Sequence, residues 1–410
     1  MGKEKPFAPN SGRASRIRTL FKMTEARKPA ILDGIRIIDL TSVVFGPLAT
    51  QMLGDLGADV IKVEDPEGDL VRKIQPSRNH LMGAAFLGAN RNKRSVTLNL
   101  KTQADRDRLH KLLADADVMI SSIRPAALAR LSLDPESLRR EHPNLITVSA
   151  TGFGQDGPYA AKPAFDDIVQ SVSGLASLPT LRDPEARPDY APTILADKLG
   201  GVTTAYAIMA ALFHRERTGE AQHVEVPMFE TLTAFLLAEH MDAATFEETP
   251  KTFGYARMLV PHRRPLQTAD GFITILPYTN AQWARFFRAV GREDMADHPW
   301  VSDMETRSQN IGAFYELVAQ IALTRTTEEW LALMEQADIP AMPVRNLSDL
   351  PGDPHLAATG FFQRIEHPSE GPIWTTRPPI RFSATPARHD HLPAPRLGEH
   401  NAEIFGPDEE

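Results

Sequence analysis

The chain reads as an α/β protein built on a parallel sheet, in two or three domains or as one large domain with a lobe. Three observations carry that reading. Short runs rich in Val and Ile alternate with helical patterns through the first half, the signature of βαβ units. A chain of 410 residues exceeds an ordinary single domain, so two or more parts are expected. Hydrophobic residues make up 42%, enough to build cores of that size.

Taken in order, residues 1–30 are polar and basic, with Lys3, Lys5, Arg13, Arg16, Arg18, Lys22, Arg27 and Lys28 opposed by only Glu4 and Glu25. They lack a signal peptide's apolar centre and are expected to form a disordered tail, with Met23 as an alternative start. Then come IRIIDL (35–40), a helical segment ending near Gly57, DVIKVE (59–64), SVTLNL (95–100), a polar helix from about 102 to 115, DVMISS (117–122) and LITVSA (145–150). Apolar residues recurring at Val202, Ala205, Ile208, Met209 and Leu212 predict a long helix that stops at Gly219. Farther on, FITILP (272–277), NAQWARFFRAV and TTEEWLALMEQA supply a strand and helices for a further part.

Several functions are excluded or disfavoured. A net charge of −8 argues against a nucleic-acid binder. The absence of cysteine removes disulfides, thiolate metal sites and a cysteine nucleophile, and allows a reducing compartment. No apolar run approaches the roughly 20 residues of a membrane span. The turn after the first strand reads TSVVFGPLAT, without the glycine fingerprint of a dinucleotide site. No phosphate-binding loop, nucleophile elbow or zinc helix is present. His389 and His391 flank Asp390, but two histidines lack the further ligands a zinc site needs. No metal is expected.

Asp197 is the most informative acid. It follows an apolar stretch and precedes Gly200, Gly201 and the long helical pattern. A carboxylate there is favoured by unpaired N–H groups and by the helix dipole. It can be a plain N-cap or a covalent nucleophile toward an acyl group, and the glycines leave room for a bulky ligand. The stretch NRNKRSVTLNLK places Arg91, Lys93, Arg94 and Lys101 around a strand, with Arg124 and Arg130 after the next one. Such cations either meet phosphates or form a solvated face.

These segments, in order, resemble the class III CoA-transferase family, the formyl-CoA transferase and carnitine CoA-transferase relatives, whose superfamily includes alpha-methylacyl-CoA racemase. The blocks are LDGIRIIDLTSVVFGPLATQMLGDLGADVIKVEDPEGD, NRNKRSVTLNLKT, DVMISSIRPAALARL, ATGFGQDGPYAAKPAFDDIVQSVSGLAS, ILADKLGGVTTAYAIMAALFHRERTGEAQHVEVPMFE, ADIPAMPVRNLSDL and LGEH, spread from about Leu32 to Phe405. The resemblance implies a Rossmann-like parallel sheet in a large CoA-binding domain (31–228 with 396–410), a smaller α+β domain (256–345), linkers at 229–255 and 346–395, and an interlocked homodimer. It implies Asp197 as nucleophile, passing CoA from a donor acyl-CoA to an acceptor carboxylic acid through aspartyl anhydride and aspartyl-CoA thioester intermediates. Backbone N–H groups near Gly200 and Gly201 are candidates for steadying the oxyanion. CoA is then substrate, no cofactor is tightly bound, and the location is cytoplasmic.

Matching positions place Val44, Phe45, Leu98, Asn99, Leu100, Lys101, Ser122, Ile123, Arg124, Arg130 and Phe165 around CoA, with Lys101 and Arg130 on its phosphates. Relatives often carry arginine at the position of Asp65; Arg72 or Arg124 can compensate. The racemase branch has a histidine where Phe165 stands, and phenylalanine moves no proton. A glycine run of formyl-CoA transferases is missing from TFGYARMLVPHRRPLQTADGFITILPYTNAQW, leaving His262, Arg263 or Tyr278 to exclude water and Arg263 with Arg264 to bind a substrate carboxylate. The alternatives to transfer are CoA-ester epimerisation at the alpha carbon and CoA binding without turnover.

Overall fold

The computed structural model describes residues 30–385 and 392–406. The basic N-terminal stretch and the His389–His391 pair lie outside the described residues. The described chain divides into two compact units. One takes in residues 30–166, Ile194–Thr231 and 361–406; the other is Asp167–Thr193 with Leu232–Gly360.

The larger unit holds a six-stranded parallel sheet. Its strands are β1 (Arg36–Leu40), β2 (Asp59–Glu64), β3 (Lys93–Thr97), β4 (Val118–Ser121), β5 (Ile146–Thr151) and β6 (His223–Pro227), in the order β3-β2-β1-β4-β5-β6. Helices α1 (Phe45–Asp55), α2 (Ala84–Ala89), α3 (Gln103–Ala114), α4 (Pro125–Arg130), α5 (Pro135–Glu141) and α6 (Leu195–Thr218) connect and cover them. Successive strand residues face opposite sides. Ile37, Val60, Val118, Ile120, Ile146 and Val148 pack with Ala49, Leu53, Ala205 and Ile208 of α1 and α6. Ile38, Leu40, Ile61, Val63 and Val96 pack with Leu109, Leu112 and Leu113 of α3 on the other face. Burial on both faces explains the near-continuous apolar strands.

Chain order reverses between β1 and β4, since β2 and β3 extend the sheet one way and β4 to β6 the other. Ligands of open α/β sheets bind at the carboxyl ends beside such a switch point. Here the loops after β1 and β4 meet, and the Ser42 N–H donates to Ser122 Oγ at 3.2 Å.

Three elements differ from expectation. The strand expected at 95–100 runs Lys93–Thr97; beyond it the chain turns so that the Thr102 side chain accepts the Asp105 N–H and caps α3. Strand β6 carried no apolar run to announce it, being an edge strand with exposed His223 and Glu225. Helix α6 starts at Leu195, a full two turns before the first periodic residue.

The smaller unit has its own core, where Trp283, Phe286, Phe287, Phe314 and Trp330 pack together. Its antiparallel sheet joins Leu266–Gln267, Phe272–Ile275 and Ala341–Pro343. The stretches expected as linkers carry regular structure: Met228–His240 is a helix, and Phe362–His367 pairs with Gly371–Thr376 as a hairpin of the larger unit.

Candidate functional site

Asp39, at the end of β1, is fully buried, and its environment sets the loop that follows. Lys93 Nζ lies 3.1 Å from Asp39 Oδ2, and the Thr50 hydroxyl donates to the same oxygen at 2.6 Å. Lys62, also fully buried, bridges Asp69 at 2.9 Å and the Thr41 carbonyl at 2.8 Å. Burial works against the Asp39 charge, but Lys93, Lys62 and the two threonines outweigh it and hold the carboxyl below its usual range. Burial dominates at Lys93, whose ammonium is pulled down to about 8 despite Asp39. Asp69 in turn accepts the Val43 N–H at 3.0 Å. Val43 sits at φ 69°, a costly conformation for a β-branched residue. The buried ion pairs therefore hold a strained turn at the mouth of the sheet.

Two cavities adjoin at this point. The first, of about 470 Å³, is lined by Thr41, Asp65, Asp69, Leu98, Asn99, Leu100 and Lys101 at the ends of β1 to β3. The second, of about 260 Å³, is lined by Val43, Phe45, Arg124, Gln155, Lys162, Phe165 and Asp197. Ser42, Ser122 and Ile123 line both, so the two cavities meet at the paired loops.

Asp197 is the third residue of α6 and only 7% exposed. The residue preceding the helix, Ile194, makes no side-chain cap. Asp166 takes that part from 31 positions upstream: its Oδ1 accepts the Asp197 N–H at 3.0 Å. Burial, and then the neighbouring Asp166 charge, push the Asp197 carboxyl up to about 6. Asp197 is thus not an N-cap.

Gly200 and Gly201 lie inside α6, where N–H groups are consumed by carbonyls four residues back. They do not offer oxyanion donors. Their smallness serves packing instead of ligand access: a Cβ at Gly200 would lie 2.6 Å from the Phe45 ring, and one at Gly201 3.0 Å from the Phe45 carbonyl. Helix α6 packs directly on α1 through these positions.

Leu98 to Lys101, Ser122, Ile123, Arg124, Phe45 and Phe165 all come to the cavity pair. Val44 opens α1 without lining either cavity; its strained neighbour Val43 does. Arg130 lines a neighbouring depression with Arg106, His110 and Lys111, which shares Leu131 with the first cavity. Arg72 does not replace the missing arginine at Asp65. It is fully buried, forks onto Glu64 at 2.7 and 2.8 Å, and lies 3.6 Å over the Phe86 ring. Arg91 is bound to Asp55, Lys93 to Asp39, and Arg94 to Asp59 and Glu403. Of that basic stretch, Lys101 alone lines the first cavity. Arg263 and Tyr278 belong to the smaller unit, where Arg263 donates to the Arg257 carbonyl at 3.2 Å and Tyr278 is exposed.

No motif singles out Lys162, Gln155 or Thr151, which also line the Asp197 cavity. Thr151 ends β5 and the other two sit on the loop that follows, whose position at the carboxyl end of the sheet was the signal available. Among the described residues, His110, Glu141 and His142 form a cluster of metal-binding types away from this cavity, with His110 Nδ1 3.1 Å from Glu141 Oε2.

A doubly covered parallel sheet, a two-chambered groove at its switch point and a buried carboxylate on the chamber wall are the architecture of an α/β enzyme. Residues 32–401 match CoA-transferase family III; the chain belongs to that family and is a CoA-transferase. It is 35% identical to the succinate–glutarate CoA-transferase of Agrobacterium fabrum, over 92% of this chain and 96% of that protein. It is 31% identical to the succinyl-CoA:mesaconate CoA-transferase of Haloarcula hispanica, over 91% and 95%. Among solved structures, Rv3272 of Mycobacterium tuberculosis superposes with a TM-score of 0.80 at 31% identity, covering 92% of this chain and all of that one.

Proposed function

We propose that the enzyme moves CoA from a donor acyl-CoA to an acceptor carboxylic acid through covalent intermediates on Asp197. The observation that carries this reading is the placement of Asp197: a buried carboxylate on the wall of the inner chamber, beside Asp166. Desolvation makes a carboxylate a stronger nucleophile than it is in water, while a value near 6 leaves it ionised at neutral pH.

The CoA nucleotide occupies the outer chamber, near Leu98, Asn99, Leu100 and Lys101, with Arg130 beyond Leu131. Its thioester arm passes Ser42, Ser122 and Ile123 toward Asp197, beside Phe45, Arg124 and Phe165. An Asp197 oxygen bonds to the thioester carbonyl carbon, the C–S bond breaks, and its electron pair leaves on sulfur. The thiolate then attacks the aspartyl carbonyl of the anhydride, releasing the donor acid and leaving aspartyl-CoA thioester. The acceptor carboxylate repeats the sequence in reverse. Activated acyl groups persist throughout, so no ATP is required.

Epimerisation at the alpha carbon is disfavoured because it needs an acid and a base on opposite faces. Among the described residues no histidine lines the Asp197 chamber, and Phe165 occupies the racemase position. Simple CoA binding gives no role to a buried carboxylate with a raised pKa. The same reading includes self-association, supported by a stripe of exposed apolar residues on α6: Val202, Tyr206 and Phe213.

Intact-protein mass spectrometry with acyl-CoA donors tests the mechanism. A donor-dependent adduct that is labile to hydroxylamine and absent from Asp197→Ala is expected. Deuterium wash-in at the alpha carbon without an acceptor acid would favour epimerisation instead.

A further inference from the structure

The chamber that holds Asp197 has two cations on its wall, Arg124 and Lys162. They differ in position. Arg124 directly follows Ser122 and Ile123, the residues shared with the outer chamber, so it faces the path of the CoA arm. Lys162 belongs to the run Ala160–Phe165 on the loop after β5, which lines the Asp197 chamber and not the outer one.

Lys162 is exposed, and its side chain rests on an aromatic group. Buried Phe153 lies between two rings, tilted against Phe229 at 5.6 Å and edge-on to Tyr159 at 5.5 Å. The Lys162 ammonium lies 4.0 Å over the Tyr159 ring. The Lys162 N–H donates to the Tyr159 carbonyl at 2.8 Å, closing the turn that brings the two together. The loop itself is tied down: Gly154 N–H donates to Glu230 at 2.9 Å and Gln155 N–H to Glu225 at 2.8 Å. An ammonium has three donors, and a ring face satisfies it only in part. What remains suits a carboxylate, by a charge-assisted hydrogen bond.

A nucleophilic carboxylate and an anchored ammonium on the walls of one chamber of about 260 Å³ suit a short acid charged at both ends. We propose that Lys162 binds the distal carboxylate of a small dicarboxylic acid, and so selects dicarboxylic over monocarboxylic substrates. The proposal rests on the CoA-transfer reading above and names its substrate class. One carboxyl group of the acid exchanges with Asp197, while the other stays ionised against Lys162. A site that pairs a charge rejects an analogue lacking it far more strongly than a site that only fits a methylene.

The test compares kcat/KM for succinate and glutarate with that for butyrate and valerate as acceptors, in the wild-type enzyme and in Lys162→Gln. The wild type is expected to favour the diacids at least a hundredfold. Lys162→Gln lowers kcat/KM for the diacids tenfold or more, chiefly through KM, and leaves the monoacids within threefold. Arg124→Gln serves as the contrast and weakens all CoA esters alike. Lys162→Arg, which keeps the charge, restores part of the preference and shows that the loop still folds. An unchanged diacid-to-monoacid ratio in Lys162→Gln, or equal loss for both classes, overturns the proposal. A wild-type enzyme that moves CoA to no acid at all would instead overturn the transfer reading.

Discussion

The Asp197 backbone N–H donates to Asp166 Oδ1 at 3.0 Å, so one carboxylate caps the helix that carries the other. The contact has two consequences. It replaces the cap that Ile194 does not supply, and it puts a second negative charge beside Asp197, adding to the rise that burial causes. Adduct formation needs ionised Asp197, so its rate is expected to rise with pH around a midpoint near 6. Asp166→Asn keeps an acceptor for the N–H but removes the charge. The midpoint then moves to lower pH while staying above that of an ordinary aspartate, because burial is the larger cause. Single-turnover adduct formation across pH 4.5–8 measures this; an unmoved midpoint would show that Asp166 acts only as a cap.

The same shift makes Asp197 a stability liability at neutral pH. Its folded value, near 6, lies above the unfolded one, so its stabilising contribution is present in full below about 4 and is lost as pH rises through 6. The size of the shift corresponds to at most about 3 kcal/mol. Asp197→Asn has no charge to desolvate and is expected to melt higher than wild type at pH 7.5, with the gap closing toward pH 4. Melting curves at the two pH values, without substrate, give the comparison. Lower stability of Asp197→Asn at pH 7.5 would contradict the burial argument.

Gly200 and Phe45 offer a packing test. A methyl at Gly200 would meet the Phe45 ring at 2.6 Å, closer than any real Cβ contact. Gly200→Ala should therefore lose about 1–3 kcal/mol through overpacking and weaken CoA esters by displacing Phe45 from the chamber wall. Adding Phe45→Leu should recover much of the stability, a non-additivity that a double-mutant cycle reads directly. Additive losses would mean that the ring is not what the methyl strikes.

How much of this was legible beforehand depended on whether the signal was local. Strands β1, β2, β4 and β5 announce themselves because both faces are buried and the runs are nearly all apolar. Strand β6 did not, since its exposed residues look like a loop. Asp197 stood out as an acid beside two glycines, but its true helical position did not. The helix begins with residues from Leu195 onward that lack a cap of their own, and the cap comes from Asp166, a tertiary contact. The basic stretch misled for the same reason. Arg91, Lys93 and Arg94 look like phosphate ligands until Asp55, Asp39 and Asp59 are placed beside them by the fold. Lys162 carried no motif at all; its interest comes from Tyr159 beneath it and Asp197 in the same chamber.

In the proposed function, the cations that would hold the nucleotide are distinct from those that hold the fold. Lys101 lines it and Arg130 lies just past Leu131. Lys101→Ala and Arg130→Ala are each expected to weaken CoA about tenfold at low salt, with a smaller loss at higher salt, as exposed ion contacts are screened. Neither should affect a pantetheine thioester, which has no nucleotide. Arg72→Met, in contrast, removes the guanidinium that Glu64 is bridged to in the core, leaving the Ser95 hydroxyl and Asp69 N–H, and should lower stability by several kcal/mol, in line with breaking a buried pair. Titration calorimetry with CoA and with pantetheine, beside thermal melts, distinguishes the two roles. Equal weakening of both ligands by Lys101→Ala would place that lysine elsewhere than on the nucleotide.

Helix α6 carries an exposed apolar stripe. Thr204, Ala205, Ile208, Ala211 and Leu212 are buried within the larger unit, whereas Val202, Tyr206 and Phe213 are exposed, Tyr206 by 72%. At 100° per residue, positions 202, 206 and 213 fall within about 40° of one another, so the exposed residues form one line. Exposed apolar lines of this kind mark association surfaces. The protein is expected to run as a dimer in light scattering at micromolar concentration, and Tyr206→Glu with Phe213→Glu should shift it toward monomer. Because Asp197 lies on the same helix, the comparison must include adduct formation at matched concentration. Loss of the adduct together with the dimer would mean that assembly completes the chamber. A monomer that still forms the adduct would confine the stripe to association. A wild-type protein that remains monomeric at high concentration would remove self-association from the functional reading.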